Sequence, residues 1–218
     1  MAADPSYTLL LAIGVPLSAT GVITYFVYEA SGKSVWYSGA GTFTLRADGK
    51  YAFAASLFRY SGGQPATSTT PSTPQRIFVG DTSVVFDGNS AQDTVPGRSY
   101  AATKFNPTTA ESGAQPEAGI YWNAAESGRG YTIEVANNIA SIGVFHYDSA
   151  GEPTWNLIVG DISTGRLQSA FTSYTGGQTL GGSYKAAQAV NATAQFQASF
   201  ITACNGSIQF PGMAPVAM

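Results

Sequence analysis

Few residues in this 218-residue chain have the types and spacing that chemistry needs. Glu126 and Arg129 flank a glycine-rich turn in the run Glu126-Ser127-Gly128-Arg129-Gly130. Such a pair can present a carboxylate and a guanidinium to a ligand, or brace the turn itself. His146 is the one histidine and alternates with Phe145 and Tyr147 on a strand-like run. A general base there would need an orienting carboxylate and a nearby nucleophile. The three tryptophans, Trp36, Trp122 and Trp155, can stack on a sugar or another flat ligand, or plug the ends of a barrel. Asp148 and Glu29 occupy equivalent places beside hairpin turns and are expected to organise them.

Several chemistries lack their signatures. No G-x-S-x-G elbow, HExxH, P-loop or EF-hand pattern is present, and no pair of the 13 acids is singled out as glycosidase carboxylates. One cysteine, Cys204, gives neither an internal disulfide nor a metal cluster. No catalytic set and no metal or cofactor site is predicted.

The composition sets the background. Charged residues are 11% of the chain, while apolar residues reach 44%, so a core can form without a charged surface. Ten Lys and Arg lie scattered and the net charge is −3, which excludes a nucleic-acid partner. No apolar run is long enough for a membrane helix, because Gly14 and Pro16 interrupt the most apolar stretch. The opening MAADPS reads as an initiator Met on a mature chain. This implies a cleaved export signal and a secreted or periplasmic location.

These residues sit on strands. Tyr7 to Ile13, Thr20 to Glu29, Ser34 to Phe43 and Tyr51 to Tyr60 read as strands joined by Gly14–Pro16, ASGK and RADGK turns. On the last of them Tyr51, Phe53, Ala55 and Leu57 share one face at period two. Pro65 to Pro74 reads as a polar loop too poor in apolar groups to order itself strongly, placed at a rim. Arg76 to Val79, Thr82 to Phe86 and Arg98 to Phe105 complete a first unit, residues 1–106. Residues 107–117 read as a linker and 118–218 as a second unit.

The second unit repeats the first. Tyr28, Gly32, Trp36 and Gly41 match Tyr147, Gly151, Trp155 and Gly160 at one constant offset. Tyr60-Ser61-Gly62-Gly63-Gln64 then matches Tyr174-Thr175-Gly176-Gly177-Gln178 at a shorter one. Arg166 to Tyr174 is matched to Tyr51–Tyr60, and Leu180 to Lys185 is expected as a further strand. No helical period is sustained. The predicted class is all-β: two tandem antiparallel meander units, barrel-like by analogy with avidins and lipocalins, or a β-sandwich.

The runs Gly119-Ile120-Tyr121-Trp122-Asn123, Glu126-Ser127-Gly128-Arg129-Gly130 and Tyr147 to Trp155 resemble a repeat of exported bacterial proteins. That repeat reads approximately G-x-W-W-N-P-x-E-S-G-x-G, then Y-D-x-x-G-x-P-x-W. Tyr121 and Ala124 depart from it, and the first unit keeps only its later part, Tyr28 to Trp36. The resemblance implies export and a β scaffold, and carries over no catalytic residue.

The expected function is an exported binding module for a small molecule or glycan, with Trp36, Trp122, Trp155, Glu126, Arg129 and His146 as candidate ligand contacts. The alternatives are a structural or adhesive surface protein that binds another protein, and a hydrolytic enzyme centred on Glu126, Arg129 or His146.

Overall fold

A computed structural model describes residues 8–13, 18–103, 115–123, 128–190 and 193–218. Seventeen strands and no helix make up the regular structure of these residues, and no helix is long and apolar enough to cross a membrane. The protein is all-β, and every strand ladder is antiparallel.

The chain divides into two compact units. One comprises Met1–Tyr60, Arg76–Phe105 and Gly176–Ala187; the other comprises Ser61–Gln75, Asn106–Thr175 and Gln188–Met218. The sequence suggests continuous units, but two equivalent stretches have changed places. The Ser-Gly-Gly-Gln arm that follows the first unit's fourth strand belongs to the second unit. The Gly-Gly-Gln arm of the second half, Gly176 to Gln178, belongs to the first.

The first unit is a seven-stranded meander, taken in chain order: β1 (Thr8–Ile13), β2 (Ser18–Tyr28), β3 (Ser34–Leu45), β4 (Tyr51–Ser61), β5 (Gln75–Asp87), β6 (Ser90–Val95) and β7 (Arg98–Thr103). The runs expected on either side of Gly80-Asp81 are one continuous strand, β5. Alternation places Phe53, Ala55 and Leu57 of β4 in the core, whereas Tyr51 at the strand's start is 43% exposed. They pack with Ile23, Tyr25, Val27, Val35, Phe43, Val84 and Val95.

This sheet must curl. In a flat sheet β2 and β6 would lie about 19 Å apart, four steps of about 4.8 Å. Yet the Tyr25 hydroxyl donates to Asp93 Oδ1 at 2.8 Å and lies 2.6 Å from Thr82 Oγ1. From β7, Tyr100 donates to the other Asp93 oxygen at 2.7 Å. Asp93 is only 2% exposed, so these hydroxyls replace the water that its carboxylate loses. Burial, and next the Asp93 charge, push the Tyr25 pKa far above its ordinary value, so Tyr25 remains a donor.

The second unit has two sheets. The larger runs in the order β14 (Gln188–Val190), β13 (Thr172–Thr175), β11 (Pro153–Asp161), β10 (Ile139–Tyr147), β9 (Gly130–Ala136), β8 (Gly119–Tyr121). The smaller runs β12 (Arg166–Ala170), β15 (Gln195–Thr202), β16 (Asn205–Gln209), β17 (Val216–Ala217). Asn137 and Asn138 join β9 to β10 at φ 54° and 61°, the paired left-handed geometry of a tight hairpin. Arg166 to Tyr174 is not one strand. It breaks at Phe171, whose ring packs on Phe196 and Phe210 at centroid distances of 6.2 and 5.8 Å, so β12 and β13 serve different sheets. Leu180 to Lys185, expected as a strand, carries no strand. Leu180 instead packs on the first unit's core.

Candidate functional site

The duplication is visible bond by bond. In the first hairpin Glu29 N donates to Lys33 O at 2.9 Å and Gly32 N to Glu29 O at 2.8 Å. In the second, Asp148 N donates to Glu152 O at 2.9 Å and Gly151 N to Asp148 O at 3.0 Å. Gly32 and Gly151 take φ of 86° and 79°, where a side chain would strain the backbone. Asp148 organises its turn by accepting from Ala150 N and Glu152 N, both at 2.9 Å, while Glu29 pairs with Arg59 at 3.0 Å.

Each hairpin receives an arm in the same way. Gly62 N donates to Gly151 O at 2.8 Å, and Gly176 N to Gly32 O at 2.8 Å. The next glycine then lies flat on a buried ring. A Cβ on Gly63 would stand 1.9 Å from Tyr147, and one on Gly177 would stand 2.1 Å from Tyr28. The second glycine of each pair is therefore a requirement of docking, while the first takes φ of 79° and 76° with open space around it.

The tryptophans of the repeat are framework residues. Trp36 stacks on Tyr60 at 5.1 Å and Trp155 on Tyr174 at 5.7 Å, both with planes 21° apart. They are 5% and 2% exposed, so the open faces expected for ligand stacking are not offered. Trp122 differs, with 64% of its surface exposed.

Arg129 and His146 are brought together on one feature, the loop that follows the first arm. Glu126 lies outside the described residues. Arg129, just ahead of β9, is 6% exposed, and its guanidinium lies 4.9 Å over the Phe210 ring. Its Nη1 donates to the carbonyls of Ala66 and Ser68. His146, on β10, is 8% exposed. Its Nε2 lies 2.7 Å from Asn156 Oδ1, and its Nδ1 lies 3.2 Å from Ala66 N. A neutral ring with its proton on Nε2 satisfies both partners. Burial holds the His146 pKa below its ordinary value, and the Asn156 bond offsets this only in part. A second proton, on Nδ1, would gain the Tyr147 carbonyl at 2.9 Å but oppose the Ala66 amide.

Gly128 completes the seat. It has φ 111°, and a Cβ there would stand 2.4 Å from Ser72 Oγ, so Gly128-Arg129-Gly130 is shaped to the loop. The loop adds its own bonds, Ser68 N to Pro65 O at 2.9 Å and Thr70 N to Ser68 Oγ at 3.1 Å. The Pro-rich stretch thus differs from the loose rim loop that its composition suggests. Ala66 is 2% exposed and belongs to the second unit's core.

A cavity of about 550 Å³ opens beside this loop. Residues 64, 65 and 67–70 form one wall, 212–216 another, and Asn123, Gly128 and Arg129 join them. That volume suits a small ligand. Pro65, Met213, Ala214, Pro215 and Val216 contribute apolar surface; Gln64, Thr67, Ser68, Thr69, Thr70 and Asn123 contribute amides and hydroxyls. No cluster of His, Cys, Asp and Glu fit to hold a metal occurs among the described residues. Sequence reasoning missed the loop and the 212–216 wall. The one signal pointing to the loop was the Gly-Gly-Gln that precedes it in both halves.

No protein-family model matches the chain, and neither a curated protein nor a solved structure matches it.

Proposed function

We propose that this protein is an exported binding module that holds a small molecule or glycan in the second unit's cavity. The observation that carries this reading is a pre-formed wall. The 64–70 loop is clamped at Ala66 by a buried histidine and a buried arginine, which leaves a cavity of about 550 Å³ lined by amides and hydroxyls on the loop side, by the apolar 213–216 wall and by Arg129. A wall already ordered loses little entropy when a ligand arrives. The same bonds argue against hydrolysis at this place, because the His146 ring already serves Asn156 and Ala66. Export rests on the resemblance of the Gly119–Trp155 runs to exported bacterial repeats.

A thermal-shift screen of glycans and small molecules tests the reading. A ligand present at a hundred times its Kd adds about 2.7 kcal/mol of stability. For a chain of this size that raises Tm by roughly 5–10 °C. The shift should vanish in Thr69→Trp, which fills the cavity from an exposed position. No shifting compound, or a shift that survives Thr69→Trp, would overturn the assignment. A second reading, a surface that binds another protein, is favoured by Ile77, Phe78 and Val79 on β5, which are 52%, 59% and 36% exposed. Self-association or partner capture lost in Phe78→Ser would support it.

A further inference from the structure

We infer that the open end of β5 pairs antiparallel with the same segment of a second copy of this chain, edge to edge. The inference rests on the second reading above, a protein-binding surface, and is independent of the cavity.

Contacts with β4 fix how this segment faces. Ser56 Oγ donates to Asp81 Oδ1 at 2.7 Å. The Phe78 ring lies 6.0 Å from the Phe58 ring, and the Arg76 guanidinium lies 4.8 Å over that same Phe58 ring. Ser56 and Phe58 are two residues apart on β4, so they share a face. Arg76, Phe78 and Asp81 therefore lie together on one face of β5. Strict alternation would put Phe78 and Asp81 on opposite faces, so the strand slips phase between them. Gly80, at φ 152°, supplies the slip, as a β-bulge requires. Beyond it Thr82 and Val84 are buried, whereas Arg76 and Phe78 are exposed.

The bulge also marks where β6 stops. β6 pairs with Ser83–Asp87, and a Cβ on Gly80 would stand 2.5 Å from Pro96, in the turn that leaves β6. Past that turn, β4 is the neighbouring strand of Arg76–Val79 among the described residues. Ile77, Phe78 and Val79 are 52%, 59% and 36% exposed, so both faces of the segment are open. Such an edge offers backbone N–H and C=O groups that a further strand can bond.

Its charges select the occupant. The segment reads Arg76-Ile77-Phe78-Val79-Gly80-Asp81, with a cation at one end and an anion at the other. Antiparallel pairing of two copies, centred on Phe78, sets Phe78 beside Phe78 and Ile77 beside Val79. It brings Arg76 of each copy to the Gly80-Asp81 bulge of the other, on the face that Arg76 and Asp81 share. Parallel pairing would line Arg76 against Arg76 and Asp81 against Asp81. The aromatic pair and the two opposite-charge pairs each favour the antiparallel arrangement. The contact is isologous, so it closes at two copies.

The test is sedimentation velocity of the full chain over a wide concentration range at low ionic strength, with melting temperature as a check on the fold. The expected result is a concentration-dependent dimer that Phe78→Ser abolishes. Arg76→Asp alone and Asp81→Arg alone should each weaken it about tenfold, because each sets like charges together twice. An equimolar mixture of these two variants should recover the dimer, because both junctions then pair opposite charges. Melting temperatures should stay close to that of the wild type, since Arg76, Phe78 and Asp81 are exposed.

A dimer that survives Phe78→Ser, or a mixture that associates no better than its components, would overturn the edge pairing and leave a protein-binding surface standing. A chain that stays monomeric at every concentration would overturn the self-pairing and leave the second reading to partner capture alone.

Discussion

A single methyl group placed on either arm should act on the unit that receives the arm. In Gly63→Ala the new Cβ would stand 1.9 Å from the Tyr147 ring, and ordinary contact begins near 3.4 Å. Tyr147 or the arm must therefore move by about 1.5 Å. Tyr147 is 2% exposed, so it has little room to move. Overpacking of this kind costs about 1–3 kcal/mol. The upper end is expected here, because the displaced group is a whole ring. Gly177→Ala meets Tyr28, 1% exposed, at 2.1 Å and should cost a similar amount. Gly49→Ala is the control. Gly49 has φ 80° and nothing within 4 Å, so Ala there costs only the left-handed backbone penalty of about 1–2 kcal/mol. Denaturant titration gives the totals, and amide exchange locates the effect. Gly63→Ala should loosen Ile142 and Ile158 of the second unit; Gly177→Ala should loosen Ile23 and Phe53 of the first. A Gly63→Ala cost no greater than that of Gly49→Ala, or loosening in the first unit, would refute the exchange of arms.

Three further predictions follow from buried polar groups. His146 titrates below its ordinary pKa, so below about pH 6.5 the unfolded chain binds a proton that the folded ring resists. Stability should fall by up to about 1.4 kcal/mol per pH unit as the pH drops below about 6.5, until the folded ring also titrates. Denaturant midpoints at pH 7, 6 and 5 read this slope, and His146→Gln should flatten it. Tyr25→Phe and Tyr100→Phe each remove a hydrogen bond to the buried Asp93 carboxylate. Each should cost about 1.5–3 kcal/mol in denaturant titration. Arg129→Lys cannot reproduce a planar group that bonds the 66–68 carbonyls while lying over Phe210. It should speed proteolytic cleavage within 64–72 several-fold with little change in far-ultraviolet circular dichroism.

The legible part of the fold lay in the repeat. Trp36 and Trp155, Gly32 and Gly151, and Tyr60 and Tyr174 announced equivalent hairpins, and their bonds and ring stacks agree in the structure. Local pattern also placed Phe53, Ala55 and Leu57 inside. The arm exchange was not legible, because both hairpins accept the same Gly-Gly segment and nothing local says which one it meets. The 65–74 loop misled for a related reason. Its composition is polar, and the partners that order it, Arg129 and His146, lie 63 and 80 residues from Ala66 in the chain. Trp36 and Trp155 read equally well as platforms or plugs from sequence. Their burial was decided by Tyr60 and Tyr174, which close over them.

The most direct measurement is hydrogen exchange at the Ala66 amide of the native chain near pH 7. Ala66 is 2% exposed and its N–H reaches His146 Nδ1 at 3.2 Å, so its exchange should be slowed by orders of magnitude relative to an open loop. The protection should disappear in His146→Gln while that at Ile142 persists. An Ala66 amide that exchanges as fast as a free peptide would mean that the loop is not clamped and that the cavity beside it has no fixed wall.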